Sequence, residues 1–109
     1  MRKWIGIPYQ GDKFCREFAR MVLLEQGIPM PDVDAPGDAT GWVEVDMPIR
    51  FDVVVFNSGG RPWHVGVCMG SGDFLHVEHG RTSRIERLGS PMWEARTAGF
   101  YRYMGKRDE

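Results

Sequence analysis

The sequence predicts a small α+β domain in which one helix near the N-terminus packs on an antiparallel sheet of about five strands. Apolar residues recur at helical spacing in the first half of the chain, whereas short β-rich segments separated by turn residues fill the second half. The chain has 109 residues, 42% of them hydrophobic, which is enough for one core and too few for two. We therefore expect a single domain over residues 1–109.

The helix is predicted within the segment DKFCREFARMVLLEQG, residues 12–27. Asp12 is a favourable N-cap, and Gly27, followed by an Ile-Pro pair, ends the helix. The apolar residues that recur on one face are Cys15, Phe18, Ala19, Val22 and Leu23. This spacing predicts an amphipathic helix with its apolar side toward the sheet.

A loop and then five strands are expected after the helix. Residues 28–41 contain three prolines and two glycines without periodicity, which is typical of a loop. The rest of the chain alternates β-rich segments with clusters of Gly, Pro, Ser or Asp. The expected strands are residues 52–57, 64–69, 74–79, 83–88 and 99–104.

Charge and cysteine content exclude several functional classes. The formal net charge is -1 and the charges are scattered, so we expect no nucleic-acid or membrane surface, and a small molecule or peptide is the favoured ligand. Residues 1–13 contain Pro and Gly before any apolar segment develops, so we expect no signal peptide and synthesis in the cytoplasm. The two cysteines are then free thiols, and their spacing favours neither a metal nor a cofactor.

Cys15 lies in the first turn of the predicted helix. Unpaired backbone N–H groups and the positive end of the helix dipole favour a thiolate at such a position, which suits a nucleophile. The alternative is that Cys15 is a small buried hydrophobic residue on the helix face.

The register of a predicted hairpin around Cys68 determines which histidine lies near His64. A three-residue loop, residues 70–72, places His64 and His76 on one face as diagonal neighbours. A four-residue loop, residues 70–73, instead places His64 opposite His79. Periodicity alone leaves both alternatives open.

Three segments around these residues resemble the NlpC family of papain-like cell-wall cysteine peptidases. GIPY is similar to the family's segment before the nucleophile helix, DVVVF to one of its strands, and HVGVCMGSGDFLHV to the hairpin that carries the catalytic histidines. EQGIPMPD and WEARTAGFYR resemble the compact members encoded near phage tail genes. The resemblance implies a minimal papain-like fold with an N-terminal nucleophile helix.

The resemblance also implies a role for each catalytic residue. Cys15 would be the nucleophile, His64 the general base and His76 the residue that orients the base, which selects the three-residue loop. The backbone N–H of Cys15 and the side chain of Tyr9 would contact the oxyanion. His79 would take no part.

Some neighbours of these residues depart from the family pattern. Family members usually carry Asp before the nucleophile and a small residue after it, whereas this chain has Phe14 and Arg16. Phe14 is therefore expected to offer an apolar wall in place of an anionic substrate contact. Trp63, beside His64, is expected to form another wall of the cleft. Phe51 stands where the family usually has Gly.

The implied function is hydrolysis of amide bonds in peptidoglycan stem peptides through an acyl-enzyme intermediate. Two alternatives stay open: a binding or tail-assembly module of the same fold that has lost turnover, and a papain-like acyltransferase or thioesterase, because an acyl-enzyme does not itself select water. A wall-cutting enzyme without an export signal needs delivery by lysis, a secretion device or a virion. A phage tail protein or another delivery protein is therefore an expected partner.

Overall fold

The structure, a computed structural model, describes residues 2–30 and 39–105. A short 3-10 turn, Arg2–Trp4, is followed by the helix α1, Phe14–Glu25. The middle of the predicted loop, residues 31–38, lies outside the described residues.

The N-terminus of α1 differs from the prediction. The N-cap residue is Lys13, in a left-handed conformation with a φ of 57°, and no side chain caps the helix there. Asp12 is exposed and is not the cap. The hydroxyl of Tyr9 instead accepts a hydrogen bond from the Phe14 N–H at 2.9 Å, so a residue five positions upstream satisfies the first helical donor.

The rest of α1 agrees with the prediction. Gly27 adopts a φ of 75°, and the Ile28 N–H donates to the Leu23 carbonyl at 3.0 Å, which ends the helix where expected. Of the predicted apolar face, Cys15 is half-buried and the other residues are buried. The helix and its sheet-facing side are therefore confirmed.

Within the described residues 39–105 the chain forms an antiparallel sheet of six strands in the order β1-β6-β2-β3-β4-β5. A short helix, α2 (Pro91–Arg96), precedes the last strand. The strands are β1 Trp42–Val45, β2 Val53–Ser58, β3 Arg61–Gly70, β4 Asp73–His76, β5 Arg84–Arg87 and β6 Thr97–Tyr103. The predicted α+β class is confirmed, with one strand more than the five expected.

The sequence does not predict β1 or α2, because both are short. β1 has four residues without alternating burial and pairs with β6 at the sheet edge. α2 has six residues, which is too few to show helical periodicity.

β4 is shorter than predicted. It ends at His76, and the Arg81 N–H donates to the Glu78 carbonyl at 3.0 Å in the turn that follows. His79 therefore lies in this turn rather than in a strand.

The β3–β4 hairpin has the register expected for the three-residue loop. Val67 lies opposite Leu75, so His64 and His76 lie diagonally across the two strands on one face. This agrees with the alternative that pairs the two histidines.

The turn itself is built differently from the predicted loop. Ser71 and Gly72 form a two-residue turn with φ angles of 55° and 83°, the mirror-image type that fits strand twist. Gly70 pairs with Asp73, and a bulge between Cys68 and Gly70 takes up the extra residue. The bulge thus restores the register that a three-residue loop would give.

The two faces of the sheet carry different side chains. The α1 face is packed under α1 and consists of Phe14, Phe18, Ala19, Val22, Leu23, Met30, Trp42, Val53, Val55, Val65, Val67, Leu75 and Val77. The α2 face is packed under α2 and consists of Val54, Phe56, Cys68, Phe74 and Trp93. The rings of His64 and His76 both contact Trp93 and so lie on the α2 face.

Phe51, which stands where the family usually has Gly, adopts a backbone conformation that favours Gly. Its φ is 73°, a left-handed conformation that glycine adopts readily and an aromatic residue does not. The Phe51 N–H donates to the Cys68 carbonyl at 2.7 Å, which holds this backbone against β3. The backbone thus retains the shape that favours Gly although the residue has changed.

Candidate active site

A cavity of about 200 Å³ lies at the N-terminal end of α1, where that helix meets the sheet. Its lining residues are Tyr9, Cys15, Trp63, His64, Glu78 and His79. Four of the predicted site residues are among them: Cys15, His64, Tyr9 and Trp63. The cavity therefore brings together residues from the N-terminal segment, α1, β3 and the turn after β4.

Cys15 is a half-buried free thiol in the first turn of α1. Burial raises the pKa of this thiol, and the backbone N–H groups of Val65, Arg16 and Cys15 itself and the Arg16 charge lower it without fully offsetting burial. The expectation that the helix start favours a thiolate is therefore wrong for the resting state. The donors are present, but removal of the sulfur from water has the larger effect.

His64 and His76 form a buried hydrogen-bonded pair. Nε2 of His64 lies 2.8 Å from Nδ1 of His76, and the side chains are 5% and 1% exposed. His64 also lines the cavity of Cys15, whereas His76 lies on the far side of His64. The Nδ1 atom of His64 is consequently the ring nitrogen that the His76 contact leaves available.

Burial determines the charge of both histidines. Burial together with the charges of His76 and Arg84 lowers the pKa of His64 to about 3. Burial also lowers the pKa of His76, although the hydrogen bond and charge of Glu86 act in the opposite direction. Both rings are therefore neutral near pH 7, and the resting site pairs a thiol with a neutral base.

Glu86 and Trp93 complete the surroundings of the histidines, and the sequence interpretation missed both. Nε2 of His76 lies 2.7 Å from Oε2 of Glu86, and the Trp93 indole N–H donates to the other carboxylate oxygen at 3.2 Å. Trp93 is 1% exposed and its ring lies 5.6 Å from that of His64 and 4.9 Å from that of His76. These contacts shield the pair from water.

The signals for Glu86 and Trp93 in the sequence are weak. Glu86 lies in the segment RTSRIERL, whose alternating charges are typical of a strand with one solvent-exposed face. Its position opposite Phe74, diagonal to His76, depends on the register of β4 and β5. Trp93 lies on α2, whose six residues carry no helical pattern.

The remaining predicted residues are distributed around the cavity as follows. Trp63 is 47% exposed and stacks on Trp93 with ring centroids 6.2 Å apart. His79 is exposed at the rim, with its ring 5.1 Å from that of Tyr9. Phe14 is 7% exposed, packs in the α1 face and lines a neighbouring depression rather than the cavity of Cys15.

Within the described residues, a group with donor atoms suited to a metal consists of His76, Glu78 and Glu86, whose ligand atoms lie within 4.8 Å of one another. The Arg84 guanidinium already forms ion pairs with both carboxylates, 2.7 Å from Glu86. A cation would have to displace Arg84 and the His76–Glu86 hydrogen bond. The group therefore fits an ion-pair network better than a metal centre.

No helix in residues 2–30 and 39–105 combines the length and the apolar character that a bilayer span requires. The candidate site lies at the N-terminal end of α1 and contains a free thiol and an imidazole that line one cavity, a second imidazole hydrogen-bonded to the first, and a carboxylate hydrogen-bonded to the second.

Comparison with solved structures identifies proteins of similar fold. An NlpC/P60 family protein from Bacillus cereus ATCC 10987 has a TM-score of 0.78 and 25% identity over 95% of this chain and 38% of that chain. A protein from Staphylococcus aureus subsp. aureus Mu50, described as similar to a lipoprotein of the NLP/P60 family, has a TM-score of 0.74 and 22% identity over 95% of this chain and 39% of that one. This chain thus spans about two fifths of the length of these two relatives.

A third similar structure is the NlpC/p60 domain of the peptidoglycan hydrolase SagA, with a TM-score of 0.66 and 24% identity over 91% of this chain and 89% of that chain. No curated protein matches the chain. The family described as NlpC/P60 matches residues 6–102, which is most of the sequence. The resemblance to the NlpC family that the sequence motifs indicate is confirmed at the level of the family, and the chain belongs to the NlpC/P60 family.

Proposed function

We propose that this protein is a cysteine peptidase that hydrolyses amide bonds in peptidoglycan stem peptides. Membership of the NlpC/P60 family and similarity to a domain of a peptidoglycan hydrolase support a cell-wall peptidase. The observation that carries the proposal for this chain is the placement of His64 between the cavity of Cys15 and the ring of His76. Packing alone does not require a thiol cavity, His64 and His76 to lie side by side in this order.

In the proposed reaction, the Cys15 sulfur attacks the carbonyl carbon of the scissile amide while its proton passes to Nδ1 of His64. An S–C bond forms, and the carbonyl oxygen becomes an oxyanion. Because the pKa of the Cys15 thiol is raised by burial and the pKa of His64 is lowered to about 3, attack and proton transfer occur together rather than from a preformed ion pair.

Two donors are available for the oxyanion. The backbone N–H of Cys15 lies in the first turn of α1, where no helical carbonyl accepts it. The oxygen of Tyr9 accepts from the Phe14 N–H, so its own proton is free to donate into the cavity that it lines.

The collapse of the tetrahedral intermediate completes the first half of the reaction. His64 returns the proton to the leaving nitrogen, the C–N bond breaks, and an amine leaves the Cys15 thioester. In the second half, His64 takes a proton from water, whose oxygen attacks the thioester carbonyl. The C–S bond then breaks, and the proton returns to the sulfur with release of the acid.

The proposed biological setting is wall cleavage by a compact module covering residues 1–109. EQGIPMPD, which lies partly outside the described residues, and WEARTAGFYR, which forms the end of α2 and most of β6, resemble members encoded near phage tail genes. We infer that a tail protein or another delivery protein brings the module to its substrate.

The proposal is tested with purified protein, peptidoglycan fragments and identification of the products by mass spectrometry. We expect new amine and carboxyl ends from the wild type and a loss of at least about a thousandfold in rate for Cys15→Ala. Cys68→Ala is the matched control, because Cys68 is a buried free thiol on the α2 face, outside the cavity.

Activity of Cys15→Ala at about a tenth of wild type would contradict the nucleophile assignment. Fragment binding without cleavage would indicate a module that has lost turnover. Release of acyl groups from thioesters or lipids, with no cut in the stem peptides, would indicate an acyltransferase or thioesterase.

A further inference from the structure

We propose that Glu86 is a positioning residue that determines which ring nitrogen of His64 and of His76 carries the proton. The site would then contain four groups in sequence, from Cys15 through both histidines to this carboxylate. The catalytic meaning of this inference rests on the proposed peptidase function, whereas the proton arrangement can be measured without any turnover.

The proton arrangement follows from the chemistry of a carboxylate. An ionised carboxylate has no proton and only accepts hydrogen bonds. Oε2 of Glu86 lies 2.7 Å from Nε2 of His76, so Nε2 of the neutral His76 ring must carry its proton. Nδ1 of that ring is then unprotonated and acts as an acceptor.

The same reasoning extends to the second histidine. Nδ1 of His76 accepts from Nε2 of His64 at 2.8 Å, so the proton of the neutral His64 ring is on Nε2. Nδ1 of His64 is left with its lone pair, and it is the atom required as the base toward Cys15. In the opposite arrangement, a lone pair of His76 would face the carboxylate.

Several contacts hold Glu86 in place and in its charged form. The Trp93 indole N–H donates to Oε1 at 3.2 Å, and the Arg84 guanidinium lies 2.7 Å from Oε2. Burial raises the pKa of Glu86. The opposing effect of the hydrogen bonds from His76 and Trp93 and of the charges of His76 and Arg84 is larger in sum, so the pKa of Glu86 lies below its ordinary value. Arg84 also pairs with Glu78, which fixes the guanidinium.

The carboxylate also stabilises the charge that forms during catalysis. When the Cys15 proton moves to Nδ1 of His64, the ring becomes an imidazolium that is 5% exposed to water. Its Nε2–H continues to donate to His76, and His76 continues to donate to Glu86, so no proton leaves the histidines. The negative charge of Glu86 offsets the new positive charge where water cannot.

The first experiment measures the ring nitrogens of the wild-type protein by nitrogen-15 NMR near pH 7. We expect both His64 and His76 to be protonated at Nε2 and unprotonated at Nδ1. Protonation of His76 at Nδ1 would overturn the proposal. This measurement needs neither substrate nor a variant, so it stands even if the protein hydrolyses nothing or a variant fails to fold.

The second experiment compares Glu86→Gln with Asp73→Asn. Both changes turn a carboxylate into an amide on the same β4–β5 hairpin, but Asp73 lies opposite Arg87, and its observed ionic partner is that arginine, 4.0 Å away, rather than a histidine. For E86Q we expect kcat to fall roughly tenfold or more with KM within about twofold, and the alkylation of Cys15 by iodoacetamide to slow several-fold. D73N should keep both rates within about twofold.

The outcomes separate this inference from the proposed function. Equal alkylation rates for E86Q and D73N, with the wild-type protonation of both rings retained in E86Q, would overturn the inference even if the enzyme cuts peptidoglycan. Slower alkylation of E86Q together with a changed His76 tautomer would support it even if no hydrolysis is found.

Discussion

The α1 face and the α2 face of the sheet are built by the same strands but differ in chemistry. Val65 and Val67 of β3 pack under α1 with other uncharged residues. His64 and Cys68, which precede and follow these valines in the same strand, lie on the α2 face with Trp93. Strand alternation therefore separates the packing that stabilises the fold from the groups that hold and move a proton.

The candidate site lies where the two faces meet at one end of the sheet. Cys15 comes from α1, which covers the first face, and His64 and His76 come from the second. Changes on the α1 face should therefore act mainly through folding, whereas changes to the groups that surround His64 and His76 on the α2 face should act on the reaction as well as on stability.

Acid is expected to affect the α2 face most strongly. The pKa of His64 is about 3 in the folded protein, against about 6.5 in the unfolded chain. Between these values the unfolded chain binds a proton that the folded chain does not. His64 therefore does not change the free energy of unfolding above about pH 6.5, and it lowers that free energy progressively as the pH falls toward 3. We expect the free energy of unfolding to fall by several kcal/mol between pH 7 and 4, measured by urea titration.

His64→Asn should flatten this pH dependence, because the buried imidazole is removed. His79→Asn is the matched control, since His79 is exposed at the cavity rim. An equal flattening by both variants would show that burial of His64 does not cause the acid sensitivity.

A change on the α1 face tests the other half of the comparison. Leu23 is 0% exposed on the sheet-facing side of α1, so Leu23→Ala should cost about 3 kcal/mol of stability and leave kcat per folded molecule unchanged. Trp93→Phe should cost less stability but lower kcat several-fold, because it removes the donor to Glu86. Urea unfolding gives the stability of each variant, and a rate assay gives its kcat. If the two variants lost stability and kcat in the same proportion, the two faces would not differ in function.

The two histidines after the hairpin turn should differ in their effect on rate. His76→Ala should lower the rate roughly a hundredfold, about 2.7 kcal/mol, because it removes the group that orients His64. His79→Ala should cost less than about threefold, since its observed contact is the ring of Tyr9. Initial rates on one stem-peptide substrate decide the ranking, and the reverse ranking would transfer the orienting role to His79.

The smallest expected effect concerns substrate choice. Phe14 replaces an acidic residue of the family pattern and is buried, so it offers no partner for a free amine. Intact or cross-linked stem peptides should therefore be cut at least as well as fragments with free amino termini, in assays at equal concentration.

A preference for the free-amine fragment above about tenfold, or about 1.4 kcal/mol, would contradict this expectation. Glu78 lines the cavity and would then be the first residue to test. Loss of the preference in Glu78→Gln would identify it as the acidic contact, whereas retention would indicate Asp12, which lines the neighbouring depression.

The sequence predicted the parts of the molecule that depend on local pattern. The apolar spacing of α1, its end at Gly27 and five strands are all present in the structure. Asp12 failed as a cap because the Tyr9 hydroxyl, brought back by the chain, satisfies the Phe14 N–H instead. That contact is invisible to a local rule.

The missing parts of the site depend on register between strands that are distant in sequence. Glu86 meets His76 because β5 pairs with β4 at one particular offset. The sequence suggested the neighbouring His64 and His76 only as one of two alternatives, which the resemblance to a family then separated. The position of Trp93 beside the histidines could not be predicted, since the six residues of α2 carry no helical pattern.

The bulge between Cys68 and Gly70 gives the hairpin one residue of tolerance in its length. Loss of Met69 would leave a regular two-residue hairpin with Cys68 still opposite Phe74, whereas a change in length that the bulge cannot absorb would shift β4 by one position and turn every β4 side chain to the other face. Leu75 would then face the aromatic cluster and His76 the aliphatic core. Related chains can therefore lose the bulge residue during evolution and keep the histidine pair, whereas the positive φ angles of Ser71 and Gly72 restrict the turn itself to residues such as Gly, Asn and Asp.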